Sequence, residues 1–163
     1  MNSRLLIGVL GNRNSGKSHT WNELFGSTVR TGKHRRQLAL FPGKCVDVFL
    51  VSGSFEERRL YAGDVLSSQD CAIVLCSLQY TEEVRRSLDY FVNQDFHLYM
   101  QWLNPRYHDP ELMDDHLDIV NEILQQASTF ALRDAKVDAS VRVQEIREFI
   151  YGWAKSRDLI HSC

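Results

Sequence analysis

No apolar run in this chain approaches the ~20 residues needed to span a bilayer. The N-terminus also lacks the apolar h-region and small-residue cleavage site of a signal peptide. A cytoplasmic protein with no membrane partner is therefore expected. A charge of one sign is missing too. Nineteen Lys and Arg stand against 21 Asp and Glu, for a formal net charge of -2, so no broad field toward nucleic acid or a lipid surface is expected. Cysteine is sparse. Cys45, Cys71, Cys76 and Cys163 show no paired metal spacing such as C-x-x-C. Three of them sit in or beside apolar runs and read as buried, reduced thiols rather than disulfides. There is no repeat, low-complexity tract or linker, and no Ser-His-Asp or Cys-His arrangement is arguable from the order of residues. What remains is 163 residues, 44% hydrophobic and 25% charged, the size and balance of a single globular domain with a sizeable core.

One stretch stands out. An apolar run, Leu5 to Leu10, leads into Gly11-Asn12-Arg13-Asn14-Ser15-Gly16-Lys17-Ser18 and then into Thr20-Trp21-Asn22-Glu23-Leu24-Phe25. This is a strand, a glycine-bounded loop and a helix with the spacing G-x-x-x-x-G-K-[ST] of a phosphate-binding loop. Glycines at both ends let the loop curl so that backbone N–H groups point at a phosphate. The following helix adds its positive end. In that reading Lys17 reaches the β- and γ-phosphates and the Ser18 hydroxyl sits on Mg²⁺. Gly11, Asn14, Ser15, Gly16 and His19 complete the nucleotide-binding set.

Along the rest of the chain, Lys17 to Phe25 reads as a helix closed by Gly26. A basic loop over 27–36 follows. Gln37–Phe41 and Cys45–Val51 form a hairpin across Pro42-Gly43-Lys44. Ser54 and Glu57 form a capping box that starts a second helix running to about Ser67, with Gly63 as its weak point. Cys71 to Leu78 is a strand buried on both faces. Thr81 caps a third helix with Val84, Leu88 and Phe91 on one face. Phe96 to Met100 or a little beyond is the next strand. Pro110 opens a fourth helix bearing Met113, Leu117, Val120, Ile123, Leu124 and Ala127. Thr129–Leu132 is the last strand, and Ser140 caps a fifth helix. The order predicts an α/β three-layer domain, a mostly parallel sheet with one antiparallel strand from the hairpin. Ligands in such sheets bind at the carboxyl ends of the strands, where the opening loop lies.

Asn14, Asn22, Leu24 and Gly26, added to the loop, match G-x-x-N-x-G-K-S-x-x-x-N-x-L-x-G, and the chain resembles the Era/TrmE-type small GTPases over nearly its full length. The resemblance implies a small-GTPase-like P-loop fold and binding of GTP, or ATP, with Mg²⁺. It assigns Thr31, with Thr28 as the other candidate, to Mg²⁺ and γ-phosphate sensing. It places Gly53 as the glycine of D-x-x-G. Leu50 stands where that motif has its aspartate, and Asp47, three positions away, points to the opposite face of the strand. For the base-reading N-K-x-D motif, one register sets Gln101 for the Asn with Trp102 stacking and Asn104 at the Asp. The other register sets Asn104 first, with Tyr107 at the Asp. Asp134-Ala135-Lys136 stands at the S-A-K motif, whose backbone N–H groups contact the base. Asn14 at its loop position implies a K⁺ ion near the phosphates.

The expected function is a nucleotide-gated interaction module with slow or degenerate NTP hydrolysis, in which Lys17, Asn14 and Gly53 act on the γ-phosphate. Partners would be another protein or a second copy of the chain completing the site. The basic loop Arg30, Lys33, His34, Arg35 and Arg36 admits three readings: a solvated switch, a contact for phosphates or RNA, or a source of an arginine finger. The alternatives are a small-molecule kinase using ATP, with an acceptor pocket near Asp47 or Asp70, and a module that binds nucleotide without hydrolysing it. His108, Asp109, Asp114, Asp115 and His116 lack metal-site spacing and read as a polar helix start.

Overall fold

The computed structural model describes residues 3–67, 69–104 and 114–163. Along the chain run β1 (Arg4–Gly11), α1 (Lys17–Phe25), β2 (Arg36–Phe41), β3 (Lys44–Val51), α2 (Phe55–Arg58) and α3 (Ala62–Leu66). There follow β4 (Ile73–Gln79), α4 (Val84–Asn93), β5 (Phe96–Leu103), α5 (Ile119–Leu124), β6 (Ser128–Arg133) and α6 (Ser140–Lys155). The strands form one six-stranded sheet in the order β2-β3-β4-β1-β5-β6. Every pairing is parallel except β2 with β3.

The apolar runs explain this order. Leu5 to Gly11 are all buried, and a strand buried on both faces belongs at the centre of a parallel sheet. Leu5, Ile7 and Val9 face Trp21 and Leu24 of α1 and Val143, Ile146 and Ile150 of α6. Leu6 and Leu10 face the other way, onto Phe55, Leu66, Val84, Leu88, Phe91 and Ile119. The alternation of one strand thus feeds two cores, and helices cover both faces of the sheet in three layers. Each fully buried side chain of this size contributes roughly 1.5–3 kcal/mol. The Trp21 indole N–H donates to Ser77 Oγ of β4 at 2.8 Å and so pins α1 over the sheet. The Arg147 guanidinium of α6 donates to the carbonyls of Glu23 and Leu24 at the end of α1.

Several boundaries differ from expectation. The second helix is two short ones. Arg59 takes a left-handed conformation (φ 54°) and ends α2, its N–H pointing back to the carbonyls of Glu56 and Phe55. The break lets Phe55 and Leu66 both enter the core. Gly63 is not the weak point. A Cβ there would lie 2.4 Å from the Tyr61 ring, so the missing side chain makes room for that ring. Helix α4 begins at Val84, whose N–H goes to the Thr81 carbonyl rather than to its hydroxyl. Ser140 is the first residue of α6, and its N–H is taken by the Asp138 carboxylate at 2.9 Å. Pro110 and Met113 lie outside the described residues. The described part of the fourth helical stretch is α5, capped by Asp115, which accepts from the N–H groups of Ile119 and Val120 and from the Tyr80 hydroxyl. Among the described residues no helix is long and apolar enough to cross a membrane.

The cysteine expectation is corrected in part. Cys71 and Cys76 are buried and free, but Cys45 forms a disulfide with Cys163 across 118 residues of sequence. Spacing carries no sign of such a pairing. The tail returns to the start of β3, where Cys45 and His161 exchange both backbone hydrogen bonds at 2.9 Å, and His161 Nε2 lies 3.2 Å from the Asp47 carboxylate. A cross-link closing so long a loop restricts the unfolded chain most. Peptide mapping without reductant is expected to recover the linked Cys45–Cys163 peptides. Cys163→Ser is expected to lower the urea unfolding free energy by about 2–4 kcal/mol relative to the oxidised protein, with dithiothreitol erasing the difference.

Candidate functional site

The glycine loop is shaped by two close approaches. At Gly11, the end of β1, a Cβ would lie 2.3 Å from Ser15 Oγ, so only glycine lets Ser15 fold inward. Gly16 has φ +104° and is pressed by Ala135, whose Cβ would be 3.3 Å from a Cβ at this position. Asn14 also takes a left-handed conformation, φ 63°, which Asn tolerates better than most residues. The Ser15 N–H closes the turn on the Asn12 carbonyl at 3.2 Å. The loop opens onto a cavity of about 380 Å³ lined by residues 13–19 together with Ser52 and Glu57. Asn14, Ser18 and His19 are exposed there.

Lys17 is 6% exposed. Its ammonium curls back over the loop and donates to the carbonyls of Gly11 at 3.0 Å and Asn12 at 2.7 Å, and it pairs with Glu57 Oε1 at 3.4 Å. A buried ammonium needs such partners, since its desolvation is otherwise costly. Behind the loop, the fully buried Thr20 donates to the Gly16 carbonyl and accepts from the buried Arg142. Burial lowers the Arg142 pKa, partly offset by the charge of Glu23. Beside the cavity, the two carboxylate oxygens of Glu56 are closed off from solvent. Desolvation raises that carboxyl from 4.5 to about 7, against the opposing pull of its own backbone amide, the Gln79 amide and the Lys17 charge.

A second tie crosses the molecule. Asn104, at the end of β5, is fully buried. Its side-chain N–H donates to the Ser15 carbonyl at 3.0 Å, and its Oδ1 accepts from the Ala135 N–H at 2.6 Å. One amide therefore clamps the glycine loop to the loop between β6 and α6. Sequence reading named Asn104 as a base contact and missed this bridge, which spans 89 residues on one side and 31 on the other.

Other expected residues fall elsewhere. Gln101 is not free to meet a base. It lies inside β5, which runs on to Leu103, is fully buried, and donates to the Tyr99 hydroxyl and the Arg142 carbonyl. Trp102 is likewise a core residue, stacked on Tyr80 at 4.7 Å between ring centres. The parallel pairing of β5 with both β1 and β6 through this segment turns these side chains inward. Tyr107 lies outside the described residues. Thr31 does not line the loop cavity. Its hydroxyl accepts from the N–H groups of Ser52 at 2.9 Å and Gly53 at 3.4 Å, latching the basic loop to the end of β3. Leu50 is fully buried in the core under α1, and Asp47 is exposed beside His161. Ala135 spends its N–H on Asn104, and the Lys136 N–H goes to the Asp134 carboxylate. His19 pairs with Glu23 one helical turn on, at 3.7 Å. Asn22 accepts from the Val29 N–H through its side chain, and its carbonyl takes the N–H groups of Gly26 and Ser27. Asn22 and Gly26 thus fold the chain out of α1. Asp70 and Asp47 share a cavity of about 150 Å³ with Ile73, at the opposite end of the sheet from the loop.

Two outcomes are expected. Asn104→Ala leaves the Ser15 carbonyl and the Ala135 N–H unpaired in a buried place, at about 1–3 kcal/mol for each, read as a fall in urea midpoint. For Glu56, the folded chain keeps a proton that the unfolded chain loses between pH 4.5 and about 7. Its contribution to stability therefore falls as pH rises through that window. Glu56→Gln is expected to raise the melting temperature by a few degrees at pH 8 and to leave it nearly unchanged at pH 4, checked by thermal melts across the range. No protein-family model matches the chain, and no curated protein sequence matches it.

Proposed function

We propose that the chain binds the phosphates of a nucleoside triphosphate in the glycine-loop cavity, together with Mg²⁺, and hydrolyses it slowly at most. The observation that carries this is Lys17. Its ammonium is held beside the glycine-loop cavity, on carbonyls that it can exchange for phosphate oxygens. Such a lysine at the start of a nine-residue helix supplies charge to β- and γ-phosphates. The donor set suits a hard cation that keeps most of its water. The Ser18 hydroxyl and the Glu57 carboxylate are oxygen donors in the same cavity, and Mg²⁺ is held by one or two protein oxygens plus phosphates. Mg²⁺ would supply neutralisation of charge shared between the β- and γ-phosphates. Asn14 on the same rim is the residue proposed for K⁺.

Slow turnover follows from what faces the γ-phosphate side. Leu50 offers no ligand, and the Thr31 hydroxyl is engaged by Ser52 and Gly53. An unaided site of this class turns over at roughly 10⁻⁴ to 10⁻² per second, and the low end is expected here. Recruiting Thr31 to a bound nucleotide would release its latch and free the basic loop over 30–36. That is the proposed route from nucleotide to a protein partner, a second copy of the chain or RNA. For the base, Asn104 fits the first position of the base-reading motif, since its amide ties the phosphate loop to Ala135. GTP is the first candidate and ATP the second. The buried Leu50 also favours the reading in which the nucleotide is held and not hydrolysed.

Titration with GTP, ATP, GDP and ADP, followed by phosphate release in K⁺ and in Na⁺, tests this. Micromolar or tighter binding of one triphosphate, lost at least tenfold in Lys17→Ala, is expected, with any hydrolysis faster in K⁺. Absence of binding to all four nucleotides would overturn the proposal, and equal rates in the two salts would remove the role of Asn14.

A further inference from the structure

We infer that Glu57 supplies the acidic group missing at Leu50, and that it makes triphosphate binding depend on Mg²⁺. The inference rests on the phosphate-site reading above. Among the described residues, Glu57 is the one acidic side chain that lines the loop cavity. It reaches there by an unusual use of a helix cap. Ser54, fully buried, accepts from the Glu57 N–H at 3.1 Å and fixes the first turn of α2. In a full capping box the glutamate side chain turns back to the cap residue. Here the carboxylate lies against the Lys17 ammonium at 3.4 Å. The backbone half of the box holds the residue in place, and the carboxylate is given to the site.

The position matters because of charge. A phosphate entering the loop needs the donor that Glu57 now holds, and a triphosphate would bring several negative charges against this carboxylate. Without a metal the two compete for Lys17. With Mg²⁺ between them, the carboxylate becomes an oxygen donor to the cation, directly or through its water. Repulsion then turns into attraction. Leu50 gives nothing at the place where related sites carry a metal-side aspartate, so the carboxylate of α2 is the available one. Glu57 is 31% exposed, on the four-residue helix α2. Its neighbour Glu56 faces a different cavity, formed with Tyr61, Gln79 and Arg86, and serves as a control for the same Glu-to-Gln change.

The test measures binding, not turnover. Affinities for GTP, ATP and inorganic tripolyphosphate are determined by calorimetry in Mg²⁺ and in EDTA, for the wild type, Glu57→Gln and Glu56→Gln. Tripolyphosphate reads the cradle without the base. The wild type is expected to bind far more tightly with Mg²⁺. In Glu57→Gln the ratio of affinities with and without the metal should shrink by about tenfold or more, within the usual range of site-to-site coupling. Most of the change should be tighter binding in EDTA. Glu56→Gln should keep the wild-type ratio. An unchanged ratio in Glu57→Gln overturns the inference, as does an equal change in Glu56→Gln. If the wild type binds none of the three probes under either condition, the phosphate-site reading itself falls and takes this inference with it.

Discussion

The site depends on one buried amide. Asn104 holds the Ser15 carbonyl with its N–H and the Ala135 N–H with its carbonyl oxygen. It does so from a left-handed backbone position, φ 67°, at the end of β5. Three loops that leave the carboxyl ends of β1, β5 and β6 are thereby set against one another. Ala135 in turn rests on Gly16, so the clamp also fixes the residue at which the loop becomes helix α1. Loops are ordinarily the loosest part of a three-layer domain. Here a fully desolvated amide, with donor and acceptor both used, gives them a single arrangement.

Charge is distributed unevenly around that arrangement. Lys17 is held by two carbonyls and the Glu57 carboxylate, so its burial is compensated within the cavity. Across the cavity Ser52 and Gly53 are tied to Thr31 and through it to the basic loop. The glycine loop and its lysine are therefore held in one arrangement, while Thr31, Ser52 and Gly53 are engaged with one another. Leu50 reinforces the contrast: a fully buried leucine contributes to the core under α1 and nothing to a metal.

How much of this is legible from residue order follows the range of the interactions. The strands, and the mostly parallel sheet with its antiparallel hairpin, were readable because burial writes itself locally, as the unbroken runs Leu5–Leu10 and Cys71–Leu78 and the alternating hairpin. The turn at Gly11 is likewise local, settled against Ser15 four residues on, whereas the approach at Gly16 comes from the distant Ala135. Helix ends were less readable. Arg59 breaks the predicted second helix through backbone geometry that any residue type can hide, and Asp138 rather than Ser140 receives the first free N–H of α6. Contacts across the chain left no trace. The Asn104 bridge, the Cys45–Cys163 link and the reach of Glu57 to Lys17 join residues 31 to 118 apart. The strand expected to run to Met100 or a little beyond continues to Leu103, so Gln101 and Trp102 lie within it rather than in the loop after it. Three more residues of parallel pairing turn both side chains into the interior. The expected base contacts at Tyr107 fall outside the described residues.

The last element of the site is a charge behind it. Arg142 is 3% exposed on α6, and its Nε and Nη2 groups have no hydrogen-bond partner among the described residues. It donates to Thr20, which itself donates to the Gly16 carbonyl. A guanidinium so placed stays charged, since even a lowered arginine pKa lies far above neutrality. Burying it with one neutral partner is costly. The cost is not removed by Glu57, which serves Lys17 on the other side of the loop. This positive charge lies two hydrogen bonds behind Gly16, at the positive end of α1. An anion resting on the loop would be stabilised by all three sources at once: the ammonium, the helix end and the buried guanidinium. Glu23 offsets part of that cost, and an anion in the cavity in front of Gly16, as proposed above, would offset more of it.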